Sequence, residues 1–271
     1  MIPPFLLASS PFLVIGGQSD YNKLIKKTEV IDLADSSNMT CTSAFWDLES
    51  ERNGAIGGLI NGTPILCGGE DSSNKRYGSC IVFGLTKTFI ELKERRSYAA
   101  SVMLNETTLW IMGGHSDSIN ENSSTTELIT LDSATSVSGP VLPMGVYESC
   151  AVKYNQSHIY LTGGRGKSVE KWQHQNEVWI YNTLIDGGSS SWIEGPKMIM
   201  KRSKHGCTVL HYGQKSWIVV AGGRGYSAIY SENDTMIDVG LPTEKTVEIL
   251  DPNTNKWVMG KNFASDFRKD K

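Results

Sequence analysis

Along the chain, short apolar runs alternate with stretches rich in Ser, Asn, Gly and charged residues, and the runs recur in a fixed order. Five of them end in a double glycine: FLVIGG (12–17), PILCGG (64–69), LWIMGG (109–114), IYLTGG (159–164) and IVVAGG (218–223). Their second glycines are 52, 45, 50 and 59 residues apart. A period of this size marks a repeat architecture in which each unit is one supersecondary element stacked on the next. After each double glycine and a polar loop comes a run rich in β-branched and aromatic residues: TEVIDL (28–33), SCIVFGL (79–85), TELITLD (126–132), NEVWIYN (176–182) and TVEILD (246–251). That composition favours strand. Small residues dominate the run before each double glycine: NGAIGGLI (53–60), SYAASVML (97–104), SCAVKYN (149–155) and HGCTVLHY (205–212), with FLLAS (5–9) available for the first unit. A bulky residue closes most units (Trp46, Phe89, Trp192, Trp257), the third having Val137 instead. A helix over 169–180 is rejected, because the matching segments of the other units alternate as strands do.

Each unit therefore reads as four short antiparallel strands, one blade of a propeller. The chain is expected to be all-β, with blades at approximately 1–46, 52–89, 96–140, 147–195 and 202–259 and a tail at 261–271. Small residues suit the crowded inner strand, and the closing aromatic is expected to fill the wedge between blades. The glycines Gly16, Gly17, Gly68, Gly69, Gly113, Gly114, Gly163, Gly164, Gly222 and Gly223 end the second strand of each unit. Glycine permits a sharp turn there at little steric cost.

A double glycine after a hydrophobic run, a later aromatic and a period near fifty resemble the kelch repeat. The likeness covers about residues 5–260 and implies a kelch-type β-propeller spanning 1–260. PILCGG with YGSC, YESCAV and KHGCTVL resemble the Cys-containing kelch domains of animal proteins. Propellers of the kelch type more often have six or seven blades, so five units imply a fragment of a six-bladed ring, a closed five-bladed ring being the alternative. Arg268 stands where a further inner strand would begin.

One stretch invites another reading. IYLTGGRGKS (159–168) ends like the phosphate-binding loop G-x-x-x-x-G-K-[ST], with Gly166, Lys167 and Ser168 in place but Leu161 where the first glycine is needed. Its counterpart IVVAGGRGYS (218–227) has Tyr226 at the lysine position. The repeat thus assigns the glycines to a strand end and the Lys-Ser to the loop that follows.

The formal net charge is −3 and the pI about 6.0, with no long run of either sign. Nucleic-acid binding, which needs a basic face, is not expected. No apolar run approaches the ~18 residues that suggest a membrane-spanning helix. The N-terminal MIPPFLLASSPFLVIGG is apolar but lacks the basic segment of a secretory leader, and is read as part of the fold.

Of the cysteines, Cys67 and Cys80 border one loop, and Cys150 and Cys207 hold equivalent positions in adjacent units. Both pairs are disulfide candidates, Cys41 being left over, with free thiols acting as small hydrophobes as the alternative. No C-x₂-C pair supports zinc. Asn-x-Ser/Thr sequons occur at Asn38, Asn61, Asn105, Asn122, Asn155 and Asn233. With the cysteine pairs they favour an extracellular or secreted location, the cytoplasm being the alternative.

A propeller does not fix a function. Galactose-oxidase-like enzymes resemble kelch proteins in fold and need Tyr and His ligands for copper. Among His115, His158, His174, His205 and His211, only His115 falls near the expected ring mouth. The E-x₃-D-x₃-H spacing of plant specifier-type kelch proteins is absent. No catalytic residue, metal or cofactor is therefore expected. In kelch modules partners dock on the face made by the loops after the double glycines, here about 18–27, 70–78, 115–125, 165–175 and 224–245. The last of these is long and polar, a candidate lid. Arg165 and Arg224 follow double glycines, whereas Arg52, Arg96 and Arg202 precede inner strands. Such a ring could hold a carboxylate or phosphate bidentately. The competing reading is that repeat-equivalent arginines bond neighbouring blades. The expected function is a non-catalytic interaction module for a protein or glycan partner. Alternatives are a galactose-oxidase-like or sugar-modifying enzyme, and the recognition domain of a ubiquitin-ligase adaptor, which would need a helical dimerisation domain besides.

Overall fold

The structure is a computed structural model that describes residues 12–18, 23–32, 40–43, 47–117, 122–168, 171–183, 192–230, 236–240 and 245–260. Among these residues the repeats form separate antiparallel sheets. Four have four strands each, in sequential order: 53–60, 63–70, 79–83 and 87–91; 100–105, 108–112, 126–129 and 137–138; 150–153, 158–162, 178–182 and 193–194; 206–212, 215–221, 247–251 and 256–259. A fifth sheet, first in the chain, shows three strands, Phe12–Ile15, Thr28–Asp32 and Thr40–Ser43. FLLAS and Trp46 lie outside the described residues. The inner strands of successive sheets stand side by side from 53–60 through 206–212, which is the arrangement of a β-propeller.

The core lies between blades, which explains why second strands read as unbroken apolar runs. Such a strand faces one wedge with odd residues and the next with even ones. Leu109 and Ile111 join Ile65, Val82 and Ile129 between the second and third blades. Trp110 and Met112 point the other way, to Ile159, Leu161, Tyr181 and Trp192. Tyr160 then meets Ile218, Val220 and Leu250 in the following wedge. Trp192 behaves as expected of a closing aromatic, its ring 5.5 Å from Trp110 and 5.2 Å from Tyr181. Phe89 does not: its side chain is 52% exposed, and the first wedge is filled by Phe83 with Leu48, Leu66 and Ile81.

The double glycines are where one blade touches the next. In each of the pairs 16–17, 68–69, 113–114, 163–164 and 222–223 both φ angles are positive. A Cβ on Gly113 would run into the carbonyl oxygen of Val146, the residue that begins the following blade. The neighbouring Gly114 N–H donates to that same oxygen at 2.8 Å, and Gly164 N–H to Arg202 O at 2.8 Å. The glycines thus let two backbones approach within hydrogen-bonding distance.

Residues 165–168 are not loop, contrary to the reading of Lys167-Ser168. They form a strand paired with 171–174 on one side and with Val146–Tyr147 on the other. The phosphate-loop likeness ends there, because a phosphate cradle needs a helix after the lysine and a β-ribbon follows instead. The 224–245 segment likewise contains a ribbon, Tyr226–Tyr230 paired with Met236–Gly240.

Two disulfides link strands. Cys67–Cys80 joins the second and third strands of one blade, and Cys150–Cys207 staples the inner strands of the last two blades. Both were candidate pairs. The side chain of Cys41 lies outside the description.

Candidate functional site

Antiparallel strands put the loops after the double glycines at one end of the ring, with the segments that enter each inner strand. Those entry segments share a backbone rule. Gly54, Tyr98, Glu148 and Lys204 hold equivalent positions, and their φ angles are 62°, 52°, 56° and 53°. A relay of backbone bonds joins these left-handed positions. Tyr98 N–H donates to Gly54 O at 2.7 Å, Glu148 N–H to Tyr98 O at 2.8 Å, and Lys204 N–H to Glu148 O at 2.9 Å. Sequence reading missed these positions, although the arginine two residues upstream in three of the units marks them.

The arginines sort into two groups. Arg52, Arg96 and Arg202 are 6%, 1% and 0% exposed, so their guanidiniums do not reach a partner. Each instead grips the first member of its own blade's double glycine: Arg52 Nη1 donates to Gly68 O at 2.9 Å, Arg96 Nη1 to Gly113 O at 2.6 Å and Arg202 Nη1 to Gly222 O at 2.8 Å. Arg96 and Arg202 also pair at 2.5 Å with Glu127 and Glu248, which accept backbone N–H groups of the preceding linker. Arg52 lies over the Tyr77 ring at 4.1 Å. The fourth unit has neither half of the pair, with Val146 at the arginine position and Trp179 at that of the glutamate. These three arginines are blade rivets, and the structural alternative accounts for them.

Arg165, Arg224 and His115 remain at the mouth. Arg165 is partly exposed and lies 5.4 Å over the Tyr147 ring, whose other neighbour is His115 at 4.4 Å between ring centroids. Arg224 is exposed, held by backbone bonds with Ser203 at 2.7 and 2.8 Å. Neither arginine has a carboxylate within ion-pair distance among the described residues. Two cations near them are matched: Arg76 by Asp117 and Glu70, and Lys204 by Glu148 at 3.1 Å. Tyr98 packs beneath Lys204, 5.0 Å from its ammonium, and accepts a bond from Asn53 Nδ2 at 2.7 Å. Burial, and after it the nearby Glu70 carboxylate, pushes the Tyr98 phenol well above its usual range. Burial and then the Arg76 guanidinium hold the His115 pKa below its ordinary value; burial and then Arg165 push that of His174 down to about 4. Both imidazoles are neutral at neutral pH, so beside the Tyr147 ring the positive charge is that of Arg165, with Arg224 in the next blade.

No group of three or more His, Cys, Asp or Glu side chains is placed to hold a metal ion among the described residues. His158 sits in a hairpin bonded to Asn155, and His205 is buried against Thr162. An apolar cleft of about 820 Å³ between the first two blades, lined by Leu13, Ile15, Val30, Leu59, Ile65 and Phe83 among others, carries no charged side chain and lies apart from the mouth. No helix of the described residues is long and apolar enough to cross a membrane.

The sequons also sort by position. Asn61, Asn105 and Asn155 are exposed in hairpins. Asn122 is corrected: it is 6% exposed, and its Nδ2 donates to Arg165 O at 3.1 Å, so it offers no room for a sugar. Asn38 and Asn233 lie outside the described residues.

No protein-family model matches the chain. Over 119 residues, 43% of this chain, it is 31% identical to kelch-like protein 25 of Xenopus tropicalis, and over 103 residues, 37% of this chain, 29% identical to kelch-like protein 25 of Homo sapiens. These matches span only 17% and 14% of those proteins' lengths. Among solved structures, that of YjhT superposes with a TM-score of 0.70 over 94% of this chain and 85% of the other, at 11% identity, a likeness of fold.

Proposed function

We infer that this kelch-repeat β-propeller is a protein-interaction module, without chemistry of its own, that receives its partner at the mouth carrying Tyr98, Tyr147, Glu148, Arg165, Lys204 and Arg224. The observation behind this reading is the Arg165 guanidinium, which has no carboxylate within ion-pair distance among the described residues. It is aligned on an aromatic ring, flanked by neutral imidazoles and accompanied by Arg224 in the next blade. A planar cation pre-oriented in this way suits a carboxylate, which accepts two parallel N–H bonds from it. The partner is accordingly a protein segment bearing Asp or Glu, and Tyr147 and His115 supply the apolar floor for the residue beside it.

Selection of random peptides on the immobilised chain tests this. Acidic sequences are expected to be enriched; R165A should weaken them by at least about tenfold, since truncating one member of a desolvated charge pair costs about 2–5 kcal/mol, and R224A, at an exposed position, by only about two- to fivefold. Unchanged melting of the variants shows that the fold is intact. Selected peptides lacking acidic residues, or binding both variants as well as the parent, would refute the reading.

A further inference from the structure

We infer that Asn61, Asn105 and Asn155 are N-glycosylation acceptors, and that their sugars cover the end of the ring opposite the mouth. The turn between first and second strands of each blade lies at that opposite end. In three consecutive blades it carries a sequon: Asn61-Gly62-Thr63, Asn105-Glu106-Thr107 and Asn155-Gln156-Ser157. The first two hairpins touch, Asn61 N–H donating to Glu106 O at 2.7 Å.

Local geometry presents each carboxamide outward. Asn105 Oδ1 accepts Thr107 N–H at 2.8 Å and Thr107 Oγ1 at 2.9 Å. Asn155 Oδ1 accepts Ser157 N–H at 2.9 Å and Ser157 Oγ at 3.0 Å. Asn61 heads a two-residue turn, with φ of 50° followed by 73° at Gly62. No Nδ2 of the three has a hydrogen-bond acceptor among the described residues, so a sugar there displaces nothing. Asn122 has the same tripeptide pattern but gives its amide to the fold. Both disulfides independently match an oxidising compartment, where this modification is made.

In the transfer step a bond forms between Asn Nδ2 and the anomeric carbon of a polyprenyl-pyrophosphate-linked oligosaccharide. That carbon's bond to the pyrophosphate oxygen breaks, the pyrophosphate leaves with the electron pair, and the amide gives up one proton. No oxidant is needed.

The test uses the full chain behind a secretion leader in cultured animal cells, recovered from the medium or, if retained, from endoplasmic-reticulum membranes. Peptide-N-glycosidase in heavy-oxygen water converts each formerly glycosylated Asn into labelled Asp. Label is expected at residues 61, 105 and 155 and not at 122. The changes T63A, T107A and S157A, which leave every Asn in place, should each abolish the label in their own hairpin. Absence of label from all three, or its appearance at 122, overturns the inference.

Discussion

At residue 202 a charge is sealed inside the protein, and what neutralises it is a single carboxylate. Arg202 and Glu248 are each 0% exposed and meet at 2.5 Å. Removing one leaves the other buried and unpaired, so Arg202→Ala or Glu248→Ala is expected to cost about 3–5 kcal/mol, whereas replacing both with apolar residues of similar size should cost much less. Urea unfolding of the two single variants and the double variant checks this. His205, packed beside this pair, gives a pH signature. Burial first, and then Arg202, pushes its pKa from 6.5 down to about 3. Below about pH 6.5 the unfolded chain takes up a proton that the folded chain refuses. Stability therefore falls by about 1.4 kcal/mol per pH unit, until about pH 3 is reached. Between pH 7 and pH 5 the wild type should lose about 2 kcal/mol more than His205→Gln, read from urea midpoints at each pH. The sequence displayed these arginines but not which way they face. The distinguishing signal lies 31 and 46 residues on: the units with Arg96 and Arg202 also carry Glu127 and Glu248, and the unit without the arginine lacks the glutamate. For these two arginines burial becomes legible once the counter-charge is sought in another strand, whereas Arg52 is buried with Ile81 at the glutamate position.

The elements were more legible than their packing. Period, strand runs and double glycines follow from one-dimensional pattern, because a strand buried on two faces has no polar side to show. Which wedge an aromatic fills depends on the twist between blades, and that is why Phe89 was assigned inward and stands 52% exposed. The ribbon at 165–174 was hidden for a related reason: its pairing with Val146–Tyr147 joins residues that only the blade geometry brings together. The double glycine itself supports a sharp expectation. At Gly113 φ is 65°, and an added methyl would collide with Val146 O. Gly113→Ala should therefore destabilise by more than the roughly 1–3 kcal/mol of a strained backbone alone. Gly213, whose φ is also positive but around which nothing lies within contact distance, is the control in the same denaturation series and should lose only the backbone part.

Over the whole molecule, the disulfides divide the chain unequally. Cys67–Cys80 closes a separation of 13 residues within one blade, and Cys150–Cys207 closes 57 residues between two blades. In the chain-entropy account these contribute about 3 and about 4 kcal/mol respectively. Replacing the second pair with serines should thus lower the denaturant midpoint more than replacing the first. The candidate mouth was partly legible at this scale. Arg165, Arg224 and His115 follow from the repeat, but Tyr98, Glu148 and Lys204 do not, since the mark of their left-handed φ is an arginine two residues upstream, and Glu148 has Val146 there instead.

Those left-handed positions have a consequence for how such a surface can change. Gly54, Tyr98, Glu148 and Lys204 differ in size, charge and aromaticity, yet the three N–H bonds that link them run from main chain to main chain. The rim is held by atoms that every residue except proline possesses. Its side chains are consequently exchangeable parts on a fixed mount, and a library randomised at 98, 148 and 204 should return folded chains with altered recognition far more often than one randomised at the riveting arginines.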